Sequence, residues 1–162
     1  MINTMNEKFI KSQVEINAPK GLVWLAWTVS ERVSEWFAPE SVIEAREGGS
    51  YELYFIPGNR EEMNTKGCKV TKIDTNNELH FTWKAPDPFK SLMNNENNLT
   101  RVQVTFEELI NGITKVTVHH IGFGKDDSWK EAFDWHVMAW SEVLNSLKEK
   151  IENGEGHLCC QP

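Results

Sequence analysis

Alternating apolar and polar residues mark several short segments of the chain, which is the pattern of strands with one buried face. Six segments follow it: FIKSQVEI, GGSYELYF, GCKVTKI, LHFTWKA, TRVQVTFEEL and ITKVTVHHIGF. Asn111 and Gly112, between the last two segments, predict a hairpin turn. Strands joined by hairpins predict an antiparallel sheet of about six strands, with one face that another layer must cover.

Two short helices are predicted between the first strand and the second. The stretch KGLVWLAWT places apolar residues on one face of a helix. The next helix carries Val33, Trp36 and Phe37 on one side. It must end close to Ala38, because the residue before a proline avoids helical backbone angles.

The longest predicted helix lies near the C-terminus. Ser128 and Glu131 have the spacing of a capping box, and Asn153-Gly154 ends the helix. Its apolar stripe recurs at steps of four and three: Trp129, Phe133, Val137, Trp140, Leu144, Leu147 and Ile151. One amphipathic helix against one antiparallel sheet predicts an α+β domain of two layers. A strongly curved sheet wrapped around this helix would leave space between the layers.

The length of the chain, 162 residues, favours one domain. We expect a single domain over residues 10–152, an N-terminal extension over residues 1–9 and a flexible tail over residues 153–162. Repeats and a second domain are not indicated.

Charge and cysteine content narrow the function classes. The formal net charge of −7 argues against binding to nucleic acid and to an anionic membrane, which need clustered cations. The chain has three cysteines, which fit free thiols in a reducing compartment better than a disulfide scaffold. The N-terminal residues lack the apolar run of a signal peptide, and no stretch has the length of a membrane span. A cytoplasmic location is therefore predicted.

Seven stretches, in order over about residues 10 to 152, resemble one family. They are INAPKGLVWLAWT, EWFAP, GGSYEL, LHFTWKAP, TRVQVTFEEL, GITKVTVHHIGF and HVMAWSEVLNSLKEKI. The chain resembles the activator of heat-shock protein 90 ATPase homologue family, within the START-like (Bet v 1-like, SRPBCC) superfamily. Lys20-Gly21 and Ala139 depart from the family's usual residues.

The resemblance implies a helix-grip fold with an internal pocket between the sheet and the last helix. It implies no particular ligand and no cofactor. Eukaryotic co-chaperones of the family carry this domain beside a second one, and the superfamily also contains enzymes.

Twelve residues are candidates to line that pocket: Trp36, Phe37, Tyr51, Leu53, Phe81, Trp83, Val104, Val118, His120, Phe133, Trp140 and Leu144. Two interpretations remain open. The aromatic rings line a cavity for an apolar ligand, as ligand pockets are mostly apolar. Alternatively, they fill an ordinary core.

His120 shares the inward phase of its strand and is the sharpest polar candidate. It is either the polar anchor of a pocket, or a general acid or base, or a core histidine with a hydrogen-bond partner. His119 faces the other way on a regular strand, so the two rings cannot bind one metal ion. Cys68 is expected to be a small buried residue.

No catalytic residue and no metal site is assigned. The HLCC segment holds His157, Cys159 and Cys160 in the predicted tail, without a fourth ligand nearby. Nucleophile, phosphate-loop and dinucleotide motifs are also missing from the sequence.

Trp135 is out of phase with the apolar stripe of the long helix, and Met138 lies near it. An exposed tryptophan beside a methionine indicates a surface for a partner or for a second copy of the chain. The alternative is that a sheet edge or a loop covers both.

Three functions are compatible with these observations. The first is non-enzymatic binding of a small hydrophobic molecule in the cavity. The second is a protein-interaction module, associated with a chaperone or with a second copy of the chain. The third is a cyclase or hydrolase of the superfamily that uses His120.

Overall fold

Eight antiparallel strands form two linked sheets in the structure, a computed structural model that describes residues 8–154 and 156–158, without the side chains of Asn111 and His157. The strands are β1 Ile10–Ile16, β2 Glu40–Ile43, β3 Tyr51–Ile56, β4 Asn59–Asn64, β5 Val70–Asp74, β6 Glu78–Trp83, β7 Thr100–Glu108 and β8 Thr114–Ile121. The helices are α1 Lys20–Thr28, α2 Ser30–Val33, α3 Lys90–Met93 and α4 Lys130–Asn153.

The larger sheet has five strands in the order β1-β8-β7-β6-β5, and the smaller has three in the order β2-β3-β4. An isolated bridge between Ser50 and Lys69 joins them, next to a 2.9 Å bond from the Tyr51 N–H to the Cys68 carbonyl. The predicted α+β helix-grip fold is confirmed. The strand number of about six was too low, because β2 and β4 are partly exposed and carry no clear alternation.

The strand register separates an inner face from an outer face. Val104 of β7 lies opposite Val118 of β8, and both are fully buried. One residue along each strand, Gln103 lies opposite His119 and points outward. This is the arrangement that the alternating sequence predicted.

Helix α4 covers the inner face of the sheet. Its last turns are tied to β1, where the Lys148 ammonium donates to the Glu15 carbonyl at 2.7 Å. The buried residues of α4 are Ala132, His136, Trp140, Leu144, Leu147 and Ile151.

The predicted apolar stripe was wrong at one position, Val137, whereas Trp129 and Phe133 are partly buried and pack against the core. Val137 is 42% exposed, whereas His136 is buried. A step of four back from Trp140 reaches His136 on the same helix face, while Val137 is rotated away from it. Val137 was expected inside because valine is apolar, but the helical period places His136 on the buried face instead.

Helix ends also differ from the predicted ones. A single turn of 3-10 helix over Asp127–Trp129 precedes α4, and no side chain caps its first N–H groups, so the capping box of Ser128 and Glu131 does not form. Gly154 ends α4 with a φ of +65°, as predicted. Helix α2 stops at Val33, earlier than predicted, and Trp36 then donates to the Ala26 carbonyl at 2.8 Å.

The domain boundaries and the flexibility of the tail stay predictions. Within that segment Leu158 is buried, in a short 3-10 turn over Gly156–Leu158. Among the helices of the described residues, none is long and apolar enough to cross a lipid bilayer.

Candidate functional site

Two histidines from different elements meet between the sheet and α4. The rings of His120, at the end of β8, and His136, near the start of α4, have centroids 5.4 Å apart and planes at 86°. The two residues are 0% and 1% exposed, respectively. His120 points inward because it is in phase with Val116 and Val118.

Hydrogen bonds fix which nitrogen of His136 carries the proton. Its Nδ1 lies 2.7 Å from the Ala132 carbonyl oxygen, which can only accept, so Nδ1 is the donor. Its Nε2 accepts a hydrogen bond from the Trp83 indole Nε1 at 3.1 Å. Both nitrogens of this ring are therefore used.

His120 has the opposite tautomer. Its Nδ1 accepts from the Trp140 indole Nε1 at 3.0 Å, which leaves the proton on Nε2. That Nε2 lies 2.9 Å from the Thr100 hydroxyl and donates to it. The two tryptophan–histidine pairs lie against each other as one interior layer, in which hydrogen bonds join β6 to α4 through Trp83 and β7 and β8 to α4 through Thr100 and His120.

Burial keeps both imidazoles neutral at pH 7. It lowers the pKa of His120 well below its usual range, and the neighbouring His136 adds to this shift. Burial also lowers the pKa of His136 to about 4, although the hydrogen bond to the Ala132 carbonyl acts in the other direction. Each ring nitrogen already has a partner, so neither ring offers a free lone pair or proton in this arrangement.

An apolar cavity of about 60 Å³ lies beside this layer. Its lining residues are Phe37, Phe55, Trp83, Trp135, His136, Ala139, Trp140 and Val143. It adjoins a wider cleft of about 180 Å³, with which it shares three aromatic residues. The wider part is lined by Phe55, Met63, Asn64, Trp83, Lys84, Pro86 and Trp135. We call the two spaces together the aromatic cleft.

Three of the twelve predicted pocket residues line the aromatic cleft: Phe37, Trp83 and Trp140. His120 lies behind them, with its ring centroid 5.8 Å from that of Trp83. The other buried candidates lie in the packed interior away from the cleft: Trp36, Tyr51, Leu53, Phe81, Val104, Val118 and Leu144. Phe133 is half-buried and packs on Phe123, with centroids 5.1 Å apart. A ligand contact by any of the twelve stays a prediction.

Phe81 and Trp83 both lie on the inner face of β6 but differ in their surroundings. Phe81 stacks on Tyr51 with centroids 4.0 Å apart and planes at 10°. The Tyr51 hydroxyl donates to the Trp27 carbonyl at 2.8 Å, which holds this stack in place. Phe81 is therefore interior packing, whereas Trp83 reaches the cleft.

Sequence reasoning missed much of the cleft lining: Phe55, Met63, Trp135, His136, Ala139 and Val143. For His136 there was a signal, because it precedes Trp140 by one helical turn. For Trp135 the sequence left open an exposed partner surface and a covered position, and the residue is 43% exposed while also lining the cleft. For Phe55 there was also a signal, because it shares the phase of Tyr51 and Leu53 in the alternating segment GGSYELYF, whereas for Met63 the alternation pattern gave no indication.

Metal binding and thiol reactivity have little structural support among the described residues. No group of three or more potential metal ligands comes together among residues 8–154 and 156–158. Cys68 is buried as predicted, and burial raises the pKa of its thiol to about 11. Cys159 and Cys160 lie outside the described residues, as does the side chain of His157.

One family model matches most of the chain. It is described as Activator of Hsp90 ATPase homolog 1-like protein, and it covers residues 17–152. No curated protein sequence gives a significant match.

Solved structures share the fold at low sequence identity. A Mesorhizobium loti protein has a TM-score of 0.73 at 18% identity, over 92% of this chain and 100% of that one. The Aha1 dimer from Colwellia psychrerythraea has a TM-score of 0.66 at 19% identity, over 92% and 99%. A Bacillus halodurans protein has a TM-score of 0.67 at 24% identity, over 88% and 95%. At sequence identities this low, the similarity shows a shared fold but not a shared ligand or activity.

Proposed function

The chain belongs to the Activator of Hsp90 ATPase homolog 1-like family, and from this premise we propose that it binds a small, uncharged, apolar molecule in the aromatic cleft without transforming it. The observation that carries this proposal is the apolar opening beside Trp83 and Trp135, between α4 and the smaller sheet. Such convergence of aromatic side chains on one concave surface is typical of small-molecule sites.

The size of the cleft supports a ligand of about one ring. A cavity of roughly 150 Å³ can hold benzene, and the wider part of the cleft has about 180 Å³. The narrower part has about 60 Å³, which is small beside the several hundred Å³ of drug-sized sites.

The hydrogen bonds of the two histidines favour binding over catalysis. A general acid or base must reach the reacting group with a free lone pair or proton. The nitrogens of His120 and His136 are engaged with Trp140, Thr100, Trp83 and Ala132. An enzymatic role for His120 would first require this layer to open.

The test is a thermal-shift and titration series with toluene, indole and short-chain alcohols as probes. A ligand that binds only the folded state raises the melting temperature. Val143→Phe fills the cavity and is expected to abolish the shift. Val137→Phe makes the same change on the exposed side of α4 and is expected to preserve it. The proposal fails when no probe raises the melting temperature, or when both variants respond like the wild type.

A protein partner at α4 is the second candidate function. Met138 is 66% exposed beside Trp135, which forms an apolar patch on the outer side of the helix. The related Aha1 protein from Colwellia psychrerythraea is a dimer, which favours a second copy of this chain as the partner. Sedimentation of the wild type and of Met138→Lys over a range of concentrations tests this. A monomer at every concentration would leave only a different protein, such as a chaperone, as the partner.

A further inference from the structure

A second groove lies at the opposite side of the buried histidines from the aromatic cleft. It has a volume of about 310 Å³ and is formed where β8 ends and where the chain enters β1. Its walls combine three cations, Lys8, Arg101 and Lys125, with three apolar residues, Phe9, Ile121 and Phe123. We call it the cationic groove.

The charge of the groove contrasts with that of the whole chain. The protein has a formal net charge of −7, yet three cations converge on one concave surface. None of the three forms an ion pair with a carboxylate of the described residues. Asp126 and Asp127 follow Lys125 along the chain but do not line the groove. Cations without a neighbouring carboxylate, placed in a concave site, create a positive potential there that attracts an anion.

The apolar residues of the groove favour a ligand that also has an apolar part. Phe9 is 46% exposed, and its ring lies against that of His119 with centroids 5.9 Å apart and planes at 38°. Phe123 is buried and forms the floor. The Lys8 ammonium lies 5.1 Å from the centroid of the Phe133 ring. Within the part of the chain that the structure describes, Arg101 and Lys125 are therefore the cations of the groove without such a partner. An exposed phenylalanine beside these two cations fits a ligand that has a charged head and an apolar body.

Two glycines hold the floor in position. Gly122 has a φ of +94°, a conformation that side chains rarely adopt, and an added Cβ would lie 3.3 Å from the Thr100 Cα. At Gly124 a Cβ would overlap the Trp129 indole, 2.4 Å from its Nε1. The turn between them places Phe123 against the ring of His120, with centroids 4.6 Å apart. The groove is therefore built on the same interior layer as the aromatic cleft but faces the other way.

We propose that the cationic groove binds an organic monoanion, a carboxylate on an acyl or aryl body of medium length. The carboxylate lies between Arg101 and Lys125, and the apolar body lies along Phe9 and Ile121 over the floor of Phe123. Arg101 can offer two parallel N–H donors to a carboxylate. A volume of about 310 Å³ is at the lower end of the range for small-molecule sites. An anionic membrane is a poorer fit, because the net charge of −7 would repel an extended anionic surface outside the groove.

The experiment titrates octanoate into the full chain at neutral pH and follows backbone NMR shifts and binding heat. We expect shifts at the groove and an affinity that falls with rising salt. Octan-1-ol, which has the same body without the charge, is expected to bind more weakly. Arg101→Gln and Lys125→Gln should each weaken octanoate binding about fivefold, as expected for partly exposed charge pairs.

The matched control is Lys115→Gln, on β8 at the other end of the sheet, where the lysine lies near Glu107. It removes one positive charge without touching the groove and should leave the affinity unchanged. Equal weakening by Lys115→Gln, equal binding of octan-1-ol to Val143→Phe, in which the aromatic cleft is filled, or binding only to vesicles with anionic phosphatidylglycerol would overturn the proposal. Val143→Phe should still bind octanoate, because it changes only the aromatic cleft. The two proposed binding sites are therefore tested separately.

Discussion

The indole Nε1 of Trp83 donates to Nε2 of His136 at 3.1 Å, and this bond joins β6 to α4 inside the protein. Together with the bond from Trp140 to His120, it is one of two buried hydrogen bonds between side chains of the sheet and of α4 among the described residues. Because both groups are buried, loss of this hydrogen bond would leave a polar atom in the interior without a partner. The cost of that unpaired atom is the main effect of the bond on the free energy of unfolding. A buried acceptor without a donor is destabilising by about 1–3 kcal/mol.

Trp83→Phe should therefore destabilise the protein by more than its change in size alone would suggest. The variant removes the indole donor and leaves His136 Nε2 without a partner in an apolar site. We expect a loss of about 2–4 kcal/mol in the free energy of unfolding, measured by urea titration at pH 7. Trp135→Phe is the matched control, since this ring is 43% exposed and its nitrogen has no recorded partner in the described residues. Equal losses in the two variants would contradict the role of the bond.

The buried histidines should make the protein less stable as the pH falls below about 6.5. An unfolded histidine takes up a proton near pH 6.5, whereas folded His136 does so near pH 4. Between these values the unfolded state binds more protons, so the free energy of unfolding decreases as the pH decreases. A pKa difference of one unit corresponds to about 1.4 kcal/mol. His136 therefore contributes on the order of 3 kcal/mol to the free energy of unfolding at pH 7, and this contribution is lost as the pH falls toward 4.

Urea titrations at pH 7, 6 and 5 measure this slope, above the range where most carboxylates titrate. His136→Gln should be less stable at pH 7 but show a shallower slope, with the remaining slope arising from His120. His119→Gln, on the outer face of the same strand as His120, should change the slope less. A wild-type stability that stays constant from pH 7 to pH 5 would mean that the histidines are not buried as neutral groups.

Thr100 and Thr105 allow a similar comparison on β7. The Thr100 hydroxyl accepts from His120 Nε2 at 2.9 Å and is buried, whereas Thr105 is half-buried on the same strand. Thr100→Val keeps the shape but leaves the His120 N–H without an acceptor, so we expect a loss of about 1–3 kcal/mol. Thr105→Val should change the stability by about 0.5 kcal/mol or less. Thermal unfolding of the two variants measures the difference, and a harmless Thr100→Val would argue against the assigned tautomer.

The overall fold could be predicted because its main signals are local. The alternation in TRVQVTFEEL and ITKVTVHHIGF places Val104 and Val118 on the inner face, and their register confirms it. The end of α4 at Gly154 likewise follows from two adjacent residues. Such features need only the two-residue period of a strand or the backbone freedom of glycine.

The aromatic cleft could not be predicted in the same way, since it depends on irregular backbone. The register of β3 against β4 shifts between Tyr54 and Ile56, next to Phe55, which lines the cleft. Met63 has a φ of +52° near the end of β4, the strand paired with β3, and its side chain also lines the cleft. A bulge and a positive φ change where a side chain points without changing the apolar pattern of the sequence.

The one misassigned position of the α4 stripe leads to a last prediction. Val137 was placed in the stripe because it is apolar, but the helix turns it toward solvent. Leu144, another position of the predicted stripe, is buried as expected and is 1% exposed. Val137→Ala should change the free energy of unfolding by about 0.5 kcal/mol or less, whereas Leu144→Ala should lower it by about 2–5 kcal/mol through the cavity it leaves. Urea unfolding decides the matter, since a costly Val137→Ala would mean that a partner or a second copy covers this side of α4.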